Sequence, residues 1–232
     1  ALVEAPAGDG RATVRRFRGF FASGTESLVI PASDATGMLD VMTSEAQKAG
    51  KSVLRLERDG MTLEGLTSLP WQTLVVREDA LATLGRGVSI SATASGDARV
   101  TNRTGHRLRD LVVWVPQSGL YYAPELADGA ALTAKASRFL RAPRLLGTTT
   151  AGTLRVHRLS TAYLSADIGG KDGSRVADAW RAIESAAGDD VDWFPDDAPV
   201  VLGVIDGLPD AARDAGLPVE SSRALLRVLG EG

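Results

Sequence analysis

Histidine is the scarcest side chain here that can do acid–base work, with two copies in 232 residues. His106 closes the run Asn102-Arg103-Thr104-Gly105-His106, between two expected strands. His157 lies on an expected strand beside Arg155 and Arg158. Either imidazole, paired with a serine and an aspartate, would make a hydrolytic triad. No G-x-S-x-G elbow accompanies them, and no serine stands in a recognisable nucleophile context. The plainer expectation is a loop histidine at 106 and a solvent-facing strand histidine at 157.

The acidic stretch Asp189, Asp190, Asp192, Asp196 and Asp197, followed by Asp206 and Asp210, offers the oxygen ligands that calcium prefers. Its spacing does not match an EF-hand loop, and Trp193-Phe194-Pro195 interrupts it, so a solvated loop is the expectation. Arg11, Arg15, Arg16 and Arg18 interleave with Phe17, Phe20 and Phe21. Such alternation could stack on bases or face an anionic surface. The expectation is instead a charged, solvated edge strand, because charge on an edge deters pairing with other chains. Gly169-Gly170-Lys171-Asp172-Gly173-Ser174 has the texture of a phosphate loop. Asp172 stands where a hydroxyl residue belongs, however, and a carboxylate there repels phosphate. Trp71, Trp114, Tyr121 and Tyr122 could stack on sugar rings if exposed. With aromatics at 5% of the chain they are expected to be the large side chains of the core. Asn102-Arg103-Thr104 is formally a glycosylation sequon and is read as a turn. No catalytic, cofactor-binding or metal-ligating set is assigned, and no cofactor is expected.

Composition narrows the classes further. The formal charge is −3, from 26 Lys and Arg against 29 Asp and Glu, which disfavours a nucleic-acid binder. Lys48, Lys51, Lys135 and Lys171 are the only lysines, a bias in keeping with a GC-rich coding sequence. Zero cysteine excludes disulfides, thiolate zinc sites, iron–sulfur clusters and cysteine nucleophiles. Hydrophobic residues at 44% and charged residues at 24% are ordinary for a globular protein that folds without staples. No apolar run is long enough to span a bilayer. The chain begins Ala-Leu-Val without methionine, which reads as a piece of a longer protein whose signal or anchor lies elsewhere.

The expected architecture is α+β, mainly β: a β-sandwich-like body with a small C-terminal α/β appendage. Residues 1–10 read as a linker, 11–165 as the β-rich domain and 166–232 as a small α/β subdomain packed on it. Asp59-Gly60 between Ser52–Arg58 and Met61–Leu66 signals a hairpin. Further strands are expected at Arg15–Phe21, Ser27–Ile30, Met38–Thr43, Trp71–Arg77, Val88–Thr93, Ala98–Asn102, Leu108–Val115, Leu120–Ala123, Ala131–Ala134 and Thr153–Ser160. A short helical turn should follow Met38–Thr43, and Phe139–Gly152 reads as a crossing loop. Val176, Ala179, Trp180, Ile183 and Ala187 share one face of a helix capped at Asp172 or Ser174. Pro199–Ile205 reads as a buried strand and Pro209–Ala215 as a helical turn. A last helix should begin at Glu220 or Ser221 and carry Leu225, Leu226 and Leu229.

One stretch resembles a known pattern. Asn102-Arg103-Thr104-Gly105, Leu108-Arg109-Asp110-Leu111-Val112-Val113, Gly119-Leu120-Tyr121-Tyr122 and Leu126-Ala127-Asp128-Gly129-Ala130 resemble ectodomains of uncharacterised bacterial membrane-anchored proteins. The resemblance covers about 30–40 residues of strands and turns, and no activity comes with it. It implies an extracytoplasmic β domain, periplasmic or extracellular, anchored through segments outside this sequence. The functional expectation is therefore a non-catalytic interaction or structural module of a bacterial membrane-anchored or secreted protein, with a protein or glycan partner. The alternatives are a hydrolase using a His/Asp/Ser constellation and a carbohydrate- or calcium-binding module.

Overall fold

The computed structural model describes residues 1–21, 23–33, 35–42, 52–58, 60–71, 73–93, 95–139, 146–151, 154–159, 191–208 and 224–231, with the backbone alone for 146–151 and 154–159. The first strands are β1 (Leu2–Pro6), β2 (Arg11–Phe21), β3 (Glu26–Pro31), β4 (Met38–Val41), β5 (Val53–Glu57), β6 (Gly60–Ser68), β7 (Thr73–Thr83) and β8 (Gly87–Ala92). There follow β9 (Ala98–Arg103), β10 (Leu108–Val115), β11 (Gly119–Leu126), β12 (Ala131–Ala134), β13 (Leu146–Ala151), β14 (Leu154–Leu159), β15 (Val200–Ile205) and β16 (Leu225–Leu229). Ala136–Arg138 forms a 3-10 turn, and no α-helix occurs among the described residues. The protein is mainly β, built from several sheets.

The chain forms two compact units. In the first, Thr13–Ala82, β3, β6 and β5 make an antiparallel sheet in that order, and β2, β7 and β4 are neighbours in another. Along β7 the inward positions are Leu74, Val76, Glu78 and Ala80, the period-2 pattern of a half-buried strand with one carboxylate set into it. Leu74 and Val76 pack with Leu28, Ile30, Leu39, Leu63 and Leu66 in the apolar core of this unit. Val29 alternates outward between buried Leu28 and Ile30 and is exposed, and the register shift beside it takes up one extra residue on β6 between Leu63 and Leu66.

The second unit comprises 2–12, the described part of 83–208 and the C-terminal strand. Its larger sheet runs β11-β10-β15-β16-β1, antiparallel except for β1 on β16, and β12-β9-β8 form a second sheet. β15 is buried along its whole length, as a strand covered on both faces must be. Trp114, Trp193, Phe194, Val112, Leu202 and Leu225 are among the core residues. Gly10 and Gly87 permit a close backbone crossing. A Cβ on Gly87, at φ +71°, would lie 2.2 Å from the Asp9 carbonyl oxygen, and one on Gly10 would lie 2.1 Å from that of Gly85.

Several expectations change. Residues 1–10 are not a linker: Leu2, Val3 and Ala5 are buried and β1 pairs in register with β16 from Leu2↔Leu225 to Pro6↔Leu229. Small residues and Gly/Pro punctuation masked a five-residue strand. The last helix is not formed where it should carry its leucines, because Leu225–Leu229 is β16. Leu225, Leu226 and Val228 are all buried, and a short run buried on both faces reads alike as helix or strand. Within the expected loop Phe139–Gly152, Leu146–Ala151 is β13, paired with β14, in keeping with the β-branched Thr148–Thr150. The described parts of 166–232 supply β15 and β16, which lie between β10 and β1 in the larger sheet. The helix expected over 174–187, the helical turn at 209–215 and the turn following Met38–Thr43 lie outside the described residues.

Candidate functional site

The sequence candidates are dispersed. His106 closes a turn built around Asn102, which is fully buried. Asn102 Nδ2 donates to the carbonyls of His106 (2.8 Å) and Leu126 (3.1 Å), and its Oδ1 accepts from Thr104 N (3.1 Å) and Oγ1 (2.8 Å). The sequon is thus a turn whose amide is spent on the backbone. His106 takes part through its peptide groups, its N–H donating to Thr104 Oγ1 at 3.2 Å. Among the described residues its ring makes no hydrogen bond: each hydrogen bond of His106 is through the peptide N–H or carbonyl. His157 sits on β14 opposite Thr148, where only the backbone pairing is described.

The aspartates do not converge. Asp189, Asp190 and Asp210, like Gly169–Ser174, lie outside the described residues. Asp192 Oδ1 accepts from Phe194 N at 3.4 Å, and Asp196 and Asp197 are exposed. Asp206 accepts from Arg109 Nε (3.0 Å) and Arg107 Nη2 (3.2 Å). Partial burial pushes the Asp206 carboxyl up, but the two guanidiniums outweigh it and hold the group below the ordinary carboxylate range. Among the described residues no three metal-ligating side chains come together.

The arginine series on β2 overturns the expectation of a solvated edge. Arg11 is exposed and clasps Asp9, whereas the side chains of Arg16 and Arg18 are 15% and 11% exposed. Both reach the fully buried Glu78, Arg16 Nη1 at 3.4 Å and Arg18 through Nη2. Ser33 completes the set, its N–H and Oγ each donating to Glu78 at 2.7 Å. Arg18 Nη1 also donates to the Pro31 carbonyl at 2.9 Å. Period-2 geometry explains the grouping: Arg16 and Arg18 share the inward face of β2 with Val14. Glu78 and Ser33 went unremarked in the sequence. The legible signal was a glutamate inside the alternation Leu74-Val76-Glu78-Ala80. Two cations on one enclosed carboxylate, with the carboxylate's oxygens already accepting from Ser33, make a structural knot with no room for a reactant.

The aromatics divide. Trp114 belongs to the core, as expected: its Nε1 donates to the Pro195 carbonyl (2.7 Å) and its ring meets Phe194 edge-on at 5.8 Å. Tyr121 and Tyr122 are half-buried, and Tyr122 donates to Asp110 Oδ1 at 3.1 Å. Trp71 is not a core residue. It is 74% exposed and pairs edge-on with Phe21, itself 58% exposed, at 6.0 Å between ring centroids. Pro70 precedes it in a turn, and Trp71 itself has φ +62°, in the left-handed region. Glycine normally takes that conformation; a bulky side chain there is strained. Sequence reasoning assigned Trp71 to a strand by aromatic propensity and so missed the Pro-Trp turn.

Exposed apolar bulk is concentrated in the same unit. Phe21, Val29, Met38, Met42, Val53, Leu54, Leu56, Trp71 and Leu81 are exposed there, against Leu229 in the second unit. No protein-family model, curated protein or solved structure matches this chain.

Proposed function

We propose that this chain is a non-catalytic interaction module of a bacterial membrane-anchored or secreted protein, working outside the cytoplasm, and that it grips a protein partner through the Phe21–Trp71 tip. The carrying observation is Trp71: a strained, 74% exposed indole at a turn where glycine would be the relaxed choice. Holding a bulky residue there costs on the order of 1–3 kcal/mol, and such strain is typically retained where a site needs it. Tryptophan and phenylalanine are also the side chains that anchor interface cores. The resemblance in 102–130 supports the extracytoplasmic setting.

Trp71→Gly tests the role cleanly, because glycine relaxes the turn. The variant should be as stable as the parent or more so, by up to about 1 kcal/mol. A photo-crosslinker placed at Phe21 in the native host should capture a discrete partner, and Trp71→Gly should abolish that capture. Capture that ignores Trp71→Gly counts against the tip. A second reading, glycan stacking, is favoured by the open indole face; a thermal shift with a glycan panel but no protein capture would select it. Protease accessibility in spheroplasts checks the location.

A further inference from the structure

We propose that β5 is a self-association edge: two copies of this chain pair antiparallel along Val53–Glu57, about a two-fold axis at Leu56. The proposal stands apart from the partner-binding role of the Phe21–Trp71 tip. It rests on a different strand and different chemistry.

β5 ends the β3-β6-β5 sheet, and among the described residues β6 is its one strand neighbour. All five of its residues are exposed, with Val53 at 51%, Leu54 at 54% and Leu56 at 78%. Natural edges are guarded by proline, charged side chains or bulges. β5 has no proline, its register with β6 runs unbroken from Val53↔Glu64 to Glu57↔Gly60, and its two charges, Arg55 and Glu57, are of opposite sign, so they repel only those registers that set like on like.

The register also fixes which peptide groups are open. Glu57 and Gly60 flank a two-residue connection, so they form the closing hydrogen-bonded pair. Hydrogen-bonded and open residues alternate along an antiparallel strand. Val53, Arg55 and Glu57 therefore turn their peptide groups to β6, while Leu54 and Leu56 turn theirs outward. A second strand must bring its own outward-facing residues opposite these two.

Charge then selects among the two-fold registers. An axis at Leu56 sets Leu56 on Leu56 of the second copy. It places Arg55 opposite Glu57 of that copy, twice over by symmetry. An axis at Arg55 would stack Arg55 on Arg55, a repulsive pair, and an axis at Leu54 would set Arg55 on apolar Val53 and carry Glu57 past the end of β5 to position 51, so that no ion pair forms within the strand. With the axis at Leu56, Arg55 lies between Glu57 of the second copy and its own Glu64, which it already meets at 3.1 Å. Leu56, the most exposed large apolar side chain among the described residues, gains an apolar neighbour at the centre. Such an interface is isologous and closes on itself, so it yields dimers and not fibres.

Sedimentation velocity over a concentration series should show a reversible dimer. Arg55→Glu alone and Glu57→Arg alone should each weaken it about tenfold or more, since each turns both cross-strand ion pairs repulsive. An equimolar mixture of the two variants should dimerise again, because the two acidic side chains of one chain then face the two arginines of the other. Leu56→Lys should give a folded monomer by circular dichroism. The chain has no cysteine, so Leu56→Cys reports a single geometry. The facing Cα atoms of a hydrogen-bonded pair are about 5.5 Å apart, within disulfide range, and oxidation should yield a covalent dimer. The proposal is overturned by a wild-type monomer at every concentration, by a dimer indifferent to both reversals, or by a mixture that fails to recover. Cross-linking between Leu54→Cys and Leu56→Cys chains, without it in Leu56→Cys alone, would overturn the register.

Discussion

Glu78→Ala should remove a large part of the stability of the Thr13–Ala82 unit. The carboxylate is wholly buried and accepts from Ser33 N and Oγ at 2.7 Å and from Arg16 Nη1 at 3.4 Å, with Arg18 beside it. Its loss leaves two guanidiniums, 15% and 11% exposed, without a counter-charge. Breaking a buried pair from one side costs about 3–5 kcal/mol. The Ser33 N–H loses its acceptor as well, which alone is worth about 1–3 kcal/mol. These effects overlap, so the sum is about 4–6 kcal/mol, against a total of about 5–15 kcal/mol for a typical protein. Glu78→Gln keeps the shape and an acceptor but not the charge, and should cost about 3 kcal/mol. The triple change Arg16→Met, Arg18→Met, Glu78→Leu removes every charge at once and should recover most of the loss, because apolar replacement of a whole buried cluster is often neutral. Urea unfolding followed by circular dichroism at pH 7 reads all three. A loss below about 1 kcal/mol for Glu78→Ala, or a triple variant no better than it, would refute the view that uncompensated charge is what destabilises.

Three further outcomes follow from the geometry. Gly87→Ala meets the Asp9 carbonyl oxygen at 2.2 Å with φ at +71° and should cost about 2–4 kcal/mol, whereas Gly129→Ala, at φ +75° with nothing within 4 Å, should cost about 1 kcal/mol. Comparative urea melts would show a wrong account of the crossing if the two were equal. The Asp206 carboxyl is depressed in the folded state, so its contribution is present above the unfolded value of about 3.9 and is lost as pH falls through the folded value. The stability gap between the parent and Asp206→Asn should therefore be open at pH 6 and close on acidification, and 0.5 M salt at pH 6 should shrink it too, because Arg107 and Arg109 are 57% and 48% exposed. Ser68 is buried with its hydroxyl unpartnered among the described residues, so Ser68→Ala should leave the midpoint unchanged or raise stability by about 1 kcal/mol.

Local alternation made the strands readable. Leu108–Val115 and Ala131–Ala134 match their expected bounds, and β3, β8 and β9 differ by a residue or so, because each is bracketed by Gly, Pro, Asn or Asp. Leu225–Leu229 was not readable as a strand, since three buried apolar residues satisfy either period and only the neighbouring β1 and β15 decide. Leu2–Pro6 failed for the same reason, its partner lying at the far end of the chain. At the candidate sites the limit was pairing. Arg16 and Arg18 were visible as a basic series, but nothing local says that β7 delivers Glu78 to them. Trp71 was visible as an aromatic, but nothing local says that it takes the left-handed conformation after Pro70 and stands exposed. Val53, Leu54 and Leu56 alternate poorly, and that loose pattern was the sign of a strand with no buried face.

The parallel pairing of β1 with β16 has a bearing on how the molecule is made. Glu4 and Arg227 meet at 3.0 Å across 223 positions of sequence. During vectorial synthesis the edge of β1 that β16 will cover leaves the ribosome long before its partner. That edge must wait until residue 229 has emerged, and closing so long a loop is slow. Ribosome-bound nascent chains arrested before Leu225 would present two unsatisfied ladders, on β1 and on β15, to whatever chaperone is nearby.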